Sequence, residues 1–370
     1  MLNRSPQNPI LVEVRRGGIV EAVHRGAIVA VEPDGKVIAA LGNIDFITST
    51  RSAIKPIQAI PFITSGAADR FNITQAELAV VCASHSGEAF HTKTVAALLE
   101  RAGLRESDLR CGAHPPYHEA TAKQLERDGL PFTQLHNNCS GKHTGMLATC
   151  VHRQLPTENY PAKEHPVQRD IISIFTRLAG LAENLPTAVD GCSAPTFGVP
   201  LNALALAFAR LVEASTDRDR VAETGSGSQF QAEHLTPQLA EAARRVTYAI
   251  AARRIVAAMT AHPEMVGGTA RFDTDLMGAA NRKLICKVGA EAVHVVGVLP
   301  CAKYPCGLGI AIKIDDGAYR GLNPAVVETL AQLGVLDDSE QAELAQYHQP
   351  VIKNVRGLEV GEIRAVFDLR

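Results

Sequence analysis

The fold is decided at Thr50-Arg51-Ser52-Ala53-Ile54-Lys55-Pro56-Ile57-Gln58-Ala59-Ile60-Pro61-Phe62. Ile54, Ile57 and Ile60 recur at helical spacing behind a polar cap region, so a helix is predicted to begin here. The chain before it reads differently. Residues 10–14, 27–31 and 36–41 are short and rich in β-branched side chains, which suits strands. Pro33-Asp34-Gly35 is a hairpin signal, so an antiparallel meander is expected.

Beyond this point the pattern stays helical for about half the chain. Helices are predicted over 74–103 (interrupted at Ser84-His85-Ser86-Gly87), 116–129, 143–153, 165–180, 199–214 and 237–261. The polar stretch 215–238, with Thr224-Gly225-Ser226-Gly227-Ser228 in it, reads as a loop or flexible insertion. Strands return at 284–288, 293–299 and 309–317, followed by helices at 324–335 and 338–347. Segregated blocks favour an α/β chain of the α+β type over a doubly wound repeat. A mixed, largely antiparallel sheet with a helical lobe is expected. The whole of 1–370 would then be one domain, with a sheet lobe from 1–50 and 283–370 and a helical lobe from 51–282.

The composition excludes several classes. The 370 residues are 46% hydrophobic and 21% charged, with a formal net charge of -2, so disorder and a coiled-coil rod are ruled out. A near-neutral chain gives no reason to expect nucleic acid or an acidic membrane as partner. No apolar run approaches the roughly 18–20 residues of a membrane span. The 8 cysteines suit a disulfide framework only in a short secreted chain, and the N-terminus lacks the basic and apolar regions of a signal peptide. A cytoplasmic protein with reduced thiols is expected, some of them ligands or nucleophiles.

Three constellations could carry chemistry. In Ser52-Ala53-Ile54-Lys55 the hydroxyl and the amine share a helical face, so the lysine could take the serine's proton if burial or a second cation kept it neutral. The same spacing occurs by chance in many chains. Cys82-Ala83-Ser84-His85-Ser86-Gly87-Glu88 collects two hydroxyls, an imidazole and a carboxylate on a bend; its plainer reading is a helix cap. Asn138-Cys139-Ser140-Gly141-Lys142-His143 is P-loop-like only at Gly-Lys. The upstream glycine is missing, so phosphate binding is rejected. With Cys192 in Asp190-Gly191-Cys192, the thiols and amine could instead bind zinc or simply be buried. Gly267-Gly268 serves a tight turn or a close approach of substrate.

These segments occur in one order along nearly the whole chain. Arg51-Ser52-x-x-Lys55-Pro56, Cys82-x-Ser84-His85-Ser86-Gly87-Glu88, Cys111-Gly112-Ala113-His114-Pro115, Asn138-Cys139-x-x-Lys142-His143 and Asp190-Gly191-Cys192 resemble the L-asparaginase II family of the thermolabile rhizobial type. The resemblance implies a fold like serine β-lactamases and transpeptidases, and hydrolysis of L-asparagine to L-aspartate and ammonia. It implies Ser52 as nucleophile with Lys55 as its partner, and Ser84 paired with Lys287. Arg51, His85, Glu88, Asn138, Asp190 and Gly268 would line the substrate site. Cys139, Lys142 and Cys192 would hold one zinc ion, and a homodimer is implied. Lys283 lies four residues before Lys287 and competes for the second pairing.

Two other classes stand beside this reading. A β-lactamase or peptidase would carry S-D-N or Y-x-N and K-T-G, which the chain lacks. A zinc- or amino-acid-binding protein without turnover would have no need of both Ser52 and Lys55.

Overall fold

The computed structural model describes residues 7–216 and 237–369. Its strands are β1 (Ile10–Arg16), β2 (Ile19–Val31), β3 (Val37–Leu41), β4 (Ile47–Ser49), β5 (Thr187–Val189), β6 (Pro195–Pro200), β7 (Leu284–Gly289), β8 (Val293–Val298), β9 (Leu308–Ile314), β10 (Val351–Lys353) and β11 (Glu359–Ala365). The main sheet runs β10-β11-β1-β2-β9-β8-β7, with β3 pairing on β2. Every pairing is antiparallel. The expected class holds: the two ends of the chain build the main sheet, and most of the helices come from its middle.

Burial along the strands locates the core. All six residues of β8 are buried, as are six of the seven in β9. Consecutive side chains point to opposite faces, so such strands must be covered on both. The helix Leu201–Thr216 packs on β2, β8 and β9, and the helix Tyr319–Gln332 on β1, β8, β9 and β11. Gly309 permits the first contact, since a Cβ there would sit 1.9 Å from the Ala205 carbonyl oxygen. The β10–β11 edge is mostly exposed or half-buried.

Sequence patterning missed the three-residue strands β4, β5 and β10, and also β11, in which no residue is fully buried. It also missed β6, whose last two residues overlap the predicted helix at 199–214. β4, β5 and β6 form a separate sheet in the order β4-β6-β5. The loop expected at 215–238 lies outside the described residues except at its ends, which belong to the helices Leu201–Thr216 and Pro237–Ala261. No helix among the described residues is long and apolar enough to cross a membrane.

Candidate active site

The small sheet positions the Ser52 turn. Thr50 donates its N–H to the Phe197 carbonyl at 2.8 Å, and Arg51 N–H reaches Thr196 Oγ1 at 3.0 Å. The chain then enters a 3-10 turn, Arg51–Ile54, with Arg51 held at a φ of 43°. A left-handed backbone is costly for a residue with a side chain. The Arg51 guanidinium is held in turn by Asp190 Oδ1 at 2.8 Å. Gly289, at the end of β7, closes on the turn from the sheet side, where a Cβ would lie 3.2 Å from Ala53 N.

Lys55 follows directly and is wholly buried. Its amine meets three oxygens: Ala83 O at 2.6 Å, Ser84 Oγ at 2.9 Å and Asn138 O at 3.2 Å. A neutral amine has two N–H donors and one lone pair. All three oxygens can accept from an ammonium; in the neutral form the Ser84 O–H would donate to the lone pair instead. Burial lowers the Lys55 pKa, opposed by Cys139 and assisted by Lys142. The amine of the Ser-x-x-Lys motif is thus bonded to the serine of another segment. Ser52 is half-buried and Ser84 buried.

The bend at Ser84 is built from several contacts. The helix Gln75–Val81 begins with a Thr74–Glu77 capping box and ends against the helix Ser140–His152. Gly141 makes that contact possible, because a Cβ would meet Val80 O at 2.1 Å. Ser84 N–H binds Val266 O at 3.0 Å and Ser86 Oγ donates to Gly267 O at 2.9 Å. Glu88 accepts from Thr269 N–H at 2.8 Å and Thr269 Oγ1 at 2.7 Å. Gly268 has a φ of 120°, and a Cβ on it would sit 2.4 Å from Ser86 Oγ. His85 is fully buried against Ser140 Oγ at 2.9 Å, and burial holds its ring well below the usual imidazole pKa. Both His85 and Glu88 therefore have tethering contacts within the protein. Asn138 offers its carbonyl to Lys55, and its N–H donates to His114 Nε2 at 3.1 Å.

Cys139, Lys142 and Cys192 converge beside this site. Cys139 precedes the helix Ser140–His152, on which Lys142 lies, and Cys192 sits in a tight turn closed by Asp190 N–H to Ala194 O at 2.9 Å. Lys142 Nζ lies 3.1 Å from Cys192 Sγ, and all three are buried. A hydrogen bond from Cys139 and the Lys142 ammonium hold Cys192 as a thiolate against the cost of burial. Burial would lower the Lys142 pKa, but the two sulfurs outweigh it and raise it. A buried thiolate beside a second thiol and an amine is a soft donor set that fits zinc. The ion's charge would replace that of the lysine proton.

The second predicted lysine lies on β7. Lys287 is wholly buried; its amine donates to Asp273 Oδ2 at 3.3 Å and Val288 O at 2.9 Å. Burial, opposed by Asp273 and aided by Lys55, lowers its pKa to about 8. Among the described residues there is no hydrogen bond between Ser84 and Lys287, nor between Ser52 and Lys55. Lys283, the competing lysine, is exposed and pairs with Glu340 at 2.7 Å. Sequence reasoning missed Asp273 and His294, whose Nε2 lies 3.0 Å from Asp273 Oδ1. Asp273 stands just after the quoted glycine pair, but only the fold brings it to Lys287.

The family model of L-asparaginase II matches residues 12–365. The chain belongs to the L-asparaginase II family. Members of such a family are amidohydrolases, and a buried amine bonded to a serine is compatible with that chemistry. No curated protein matches the sequence. Among solved structures, a probable glutaminase from Bacillus subtilis complexed with 6-diazo-5-oxo-L-norleucine is similar at 12% identity, with 84% of each chain covered and a TM-score of 0.36. A Bacillus glutaminase in 4.3 M NaCl is similar at 13% identity, with 87% of this chain and 90% of that chain covered and a TM-score of 0.32.

Proposed function

We propose that this L-asparaginase II family member hydrolyses L-asparagine to L-aspartate and ammonia through a serine acyl-enzyme. The observation that carries the reading is the wholly buried Lys55 amine at 2.9 Å from Ser84 Oγ, directly after the Ser52 turn. In a 3-10 turn, residues three apart eclipse, so Ser52 and Lys55 leave the backbone on the same side. Ser52 is the more exposed hydroxyl and attacks the side-chain amide carbon. Its proton passes by way of Ser84 to Lys55, which returns it to the leaving ammonia. Water then cleaves the ester by the reverse relay. Asp190 and Arg51 supply paired charges for the zwitterionic end of the substrate.

Cys139, Lys142 and Cys192 would hold the zinc ion, whose charge would fix the loops around the substrate site. The nucleophile comes from a serine, so no metal-bound hydroxide is required. Metal analysis of the purified protein should find zinc, and Cys192→Ser should lose it. Equal zinc content in both would remove the assignment.

A second reading makes Ser84 the nucleophile, favoured by its direct hydrogen bond to Lys55. Ammonia release from L-asparagine and L-glutamine, run beside opening of a chromogenic β-lactam, tests the activity. Release from asparagine with an intact β-lactam is expected. β-Lactam opening without ammonia release, or no turnover of any of the three, would refute it.

A further inference from the structure

Asp273 carries a buried charge that the proposed relay does not use. It is 3% exposed and sits in the first turn of the helix Phe272–Ala279. Oδ2 accepts from Lys287 Nζ at 3.3 Å and from Val288 N–H at 2.9 Å, while Oδ1 faces His294 Nε2 at 3.0 Å. An ionised carboxylate only accepts, so His294 must carry its proton on Nε2. Its Nδ1 is buried without a partner. The ring orientation leaves one ring nitrogen without a hydrogen bond and gives Asp273 a fixed donor.

The carboxylate, His294 and Cys286 also bring three ligand atoms within 4.8 Å of one another. The cation is already supplied by the protein, however, because Lys287 binds Oδ2 itself. The Cys286 thiol is pushed well up, by burial first and Asp273 second, so it stays protonated and is a poor ligand. Lys287 Nζ has three positions, and two are taken by Asp273 and Val288 O. The third has no partner among the described residues. The charged and titratable groups acting on this amine or its pair include Asp273, His294, Lys55, Arg271, Cys82, Cys286 and Tyr319.

We propose that Asp273, oriented by His294, is a positioning residue that pins the Lys287 amine from behind and leaves one of its three positions free for the reacting groups. This rests on the reading of the site as a Ser–Lys amidohydrolase that needs Lys287. Two buried lysines without a counter-charge would both be forced neutral or expelled. Asp273 keeps Lys287 in place and its proton equilibrium near neutrality.

The test is steady-state kinetics of ammonia release across pH for wild type, Asp273→Asn and Lys287→Met, with folding checked by thermal melt. Lys287→Met should lose turnover. Asp273→Asn should lower kcat by ~10-fold or more with KM little changed, as expected when a buried charged hydrogen bond is removed. Without the neighbouring anion the amine gives up its proton more easily, so the pH limb it governs should move by about one unit to lower pH. Activity retained in Lys287→Met would overturn the reading and this inference together. Loss in Lys287→Met with an unmoved limb in Asp273→Asn would overturn the inference alone. If Asp273→Asn does not fold, His294→Gln decides: a several-fold fall in kcat at constant KM is expected, and an unchanged kcat overturns the proposal.

Discussion

Lys55 Nζ lies 2.9 Å from Ser84 Oγ, so the lysine of the Ser-x-x-Lys motif is bonded to a serine of a different segment. The two are brought together by the helix Gln75–Val81 ending where the Ser52 turn enters the core. Ser84 thus holds the amine that follows the Ser52 turn, and the proposed relay runs through it.

Replacing Lys55 with methionine keeps the buried volume and removes the proposed base. General-base catalysis contributes about 10²–10⁴ in rate, and kcat should fall by at least that range. Ala83 O and Asn138 O lose their donor, so the thermal midpoint should also fall. A variant with more than a tenth of wild-type kcat would exclude Lys55 as the base.

Lys287 links stability to pH. Its folded-state pKa is lowered to about 8, against about 10.4 for an unfolded lysine. Between those values the unfolded chain holds more protons than the folded one, so rising pH favours folding. Denaturant unfolding from pH 8 to 10 should show wild type gaining stability relative to Lys287→Met. A constant difference would show that the amine titrates normally.

Asp190 holds Arg51, and in the proposed reading it also offers charge to the substrate's α-amine. Asp190→Asn should raise KM for L-asparagine by ~10-fold or more, the cost of a lost charged hydrogen bond. The effect should shrink for a substrate lacking the amine. Equal KM increases for both substrates would show that Asp190 acts only through Arg51.

Gly268→Ala should be more harmful than its size suggests. A φ of 120° strains any side chain, and the new Cβ would press on Ser86 Oγ at 2.4 Å. A loss of ~1–3 kcal/mol in stability and a fall in activity are expected, read by denaturant unfolding and ammonia release. Unchanged values would mean that the 267–269 loop adapts freely.

Much of this architecture was legible in the sequence because it rests on patterning. β8 and β9 read as apolar runs since both of their faces are covered. The helices showed their periodicity, and the Gly-containing bend at Ser84 stood out between two of them. Pairings across the fold were not legible. The i to i+3 spacing put Lys55 with Ser52, whereas Ala83, Ser84 and Asn138 compete for the same amine from two other segments. Asp273 and His294 carry no spacing signal, because β7, β8 and the helix Phe272–Ala279 meet only in three dimensions. β5 and β10, three residues each, are too short to show alternation.

The most direct test of the central claim is to trap the acyl-enzyme. L-Asparagine turnover is quenched in acid, the protein is digested with trypsin and the β-aspartyl ester is located by mass spectrometry. Cleavage after Arg51, with the Lys55-Pro56 bond resistant, isolates Ser52 in the peptide 52–70, while Ser84 falls in 71–93. An ester on Ser52, absent from Ser52→Ala, is the predicted result. An ester on Ser84, or full turnover by Ser52→Ala, would contradict the account.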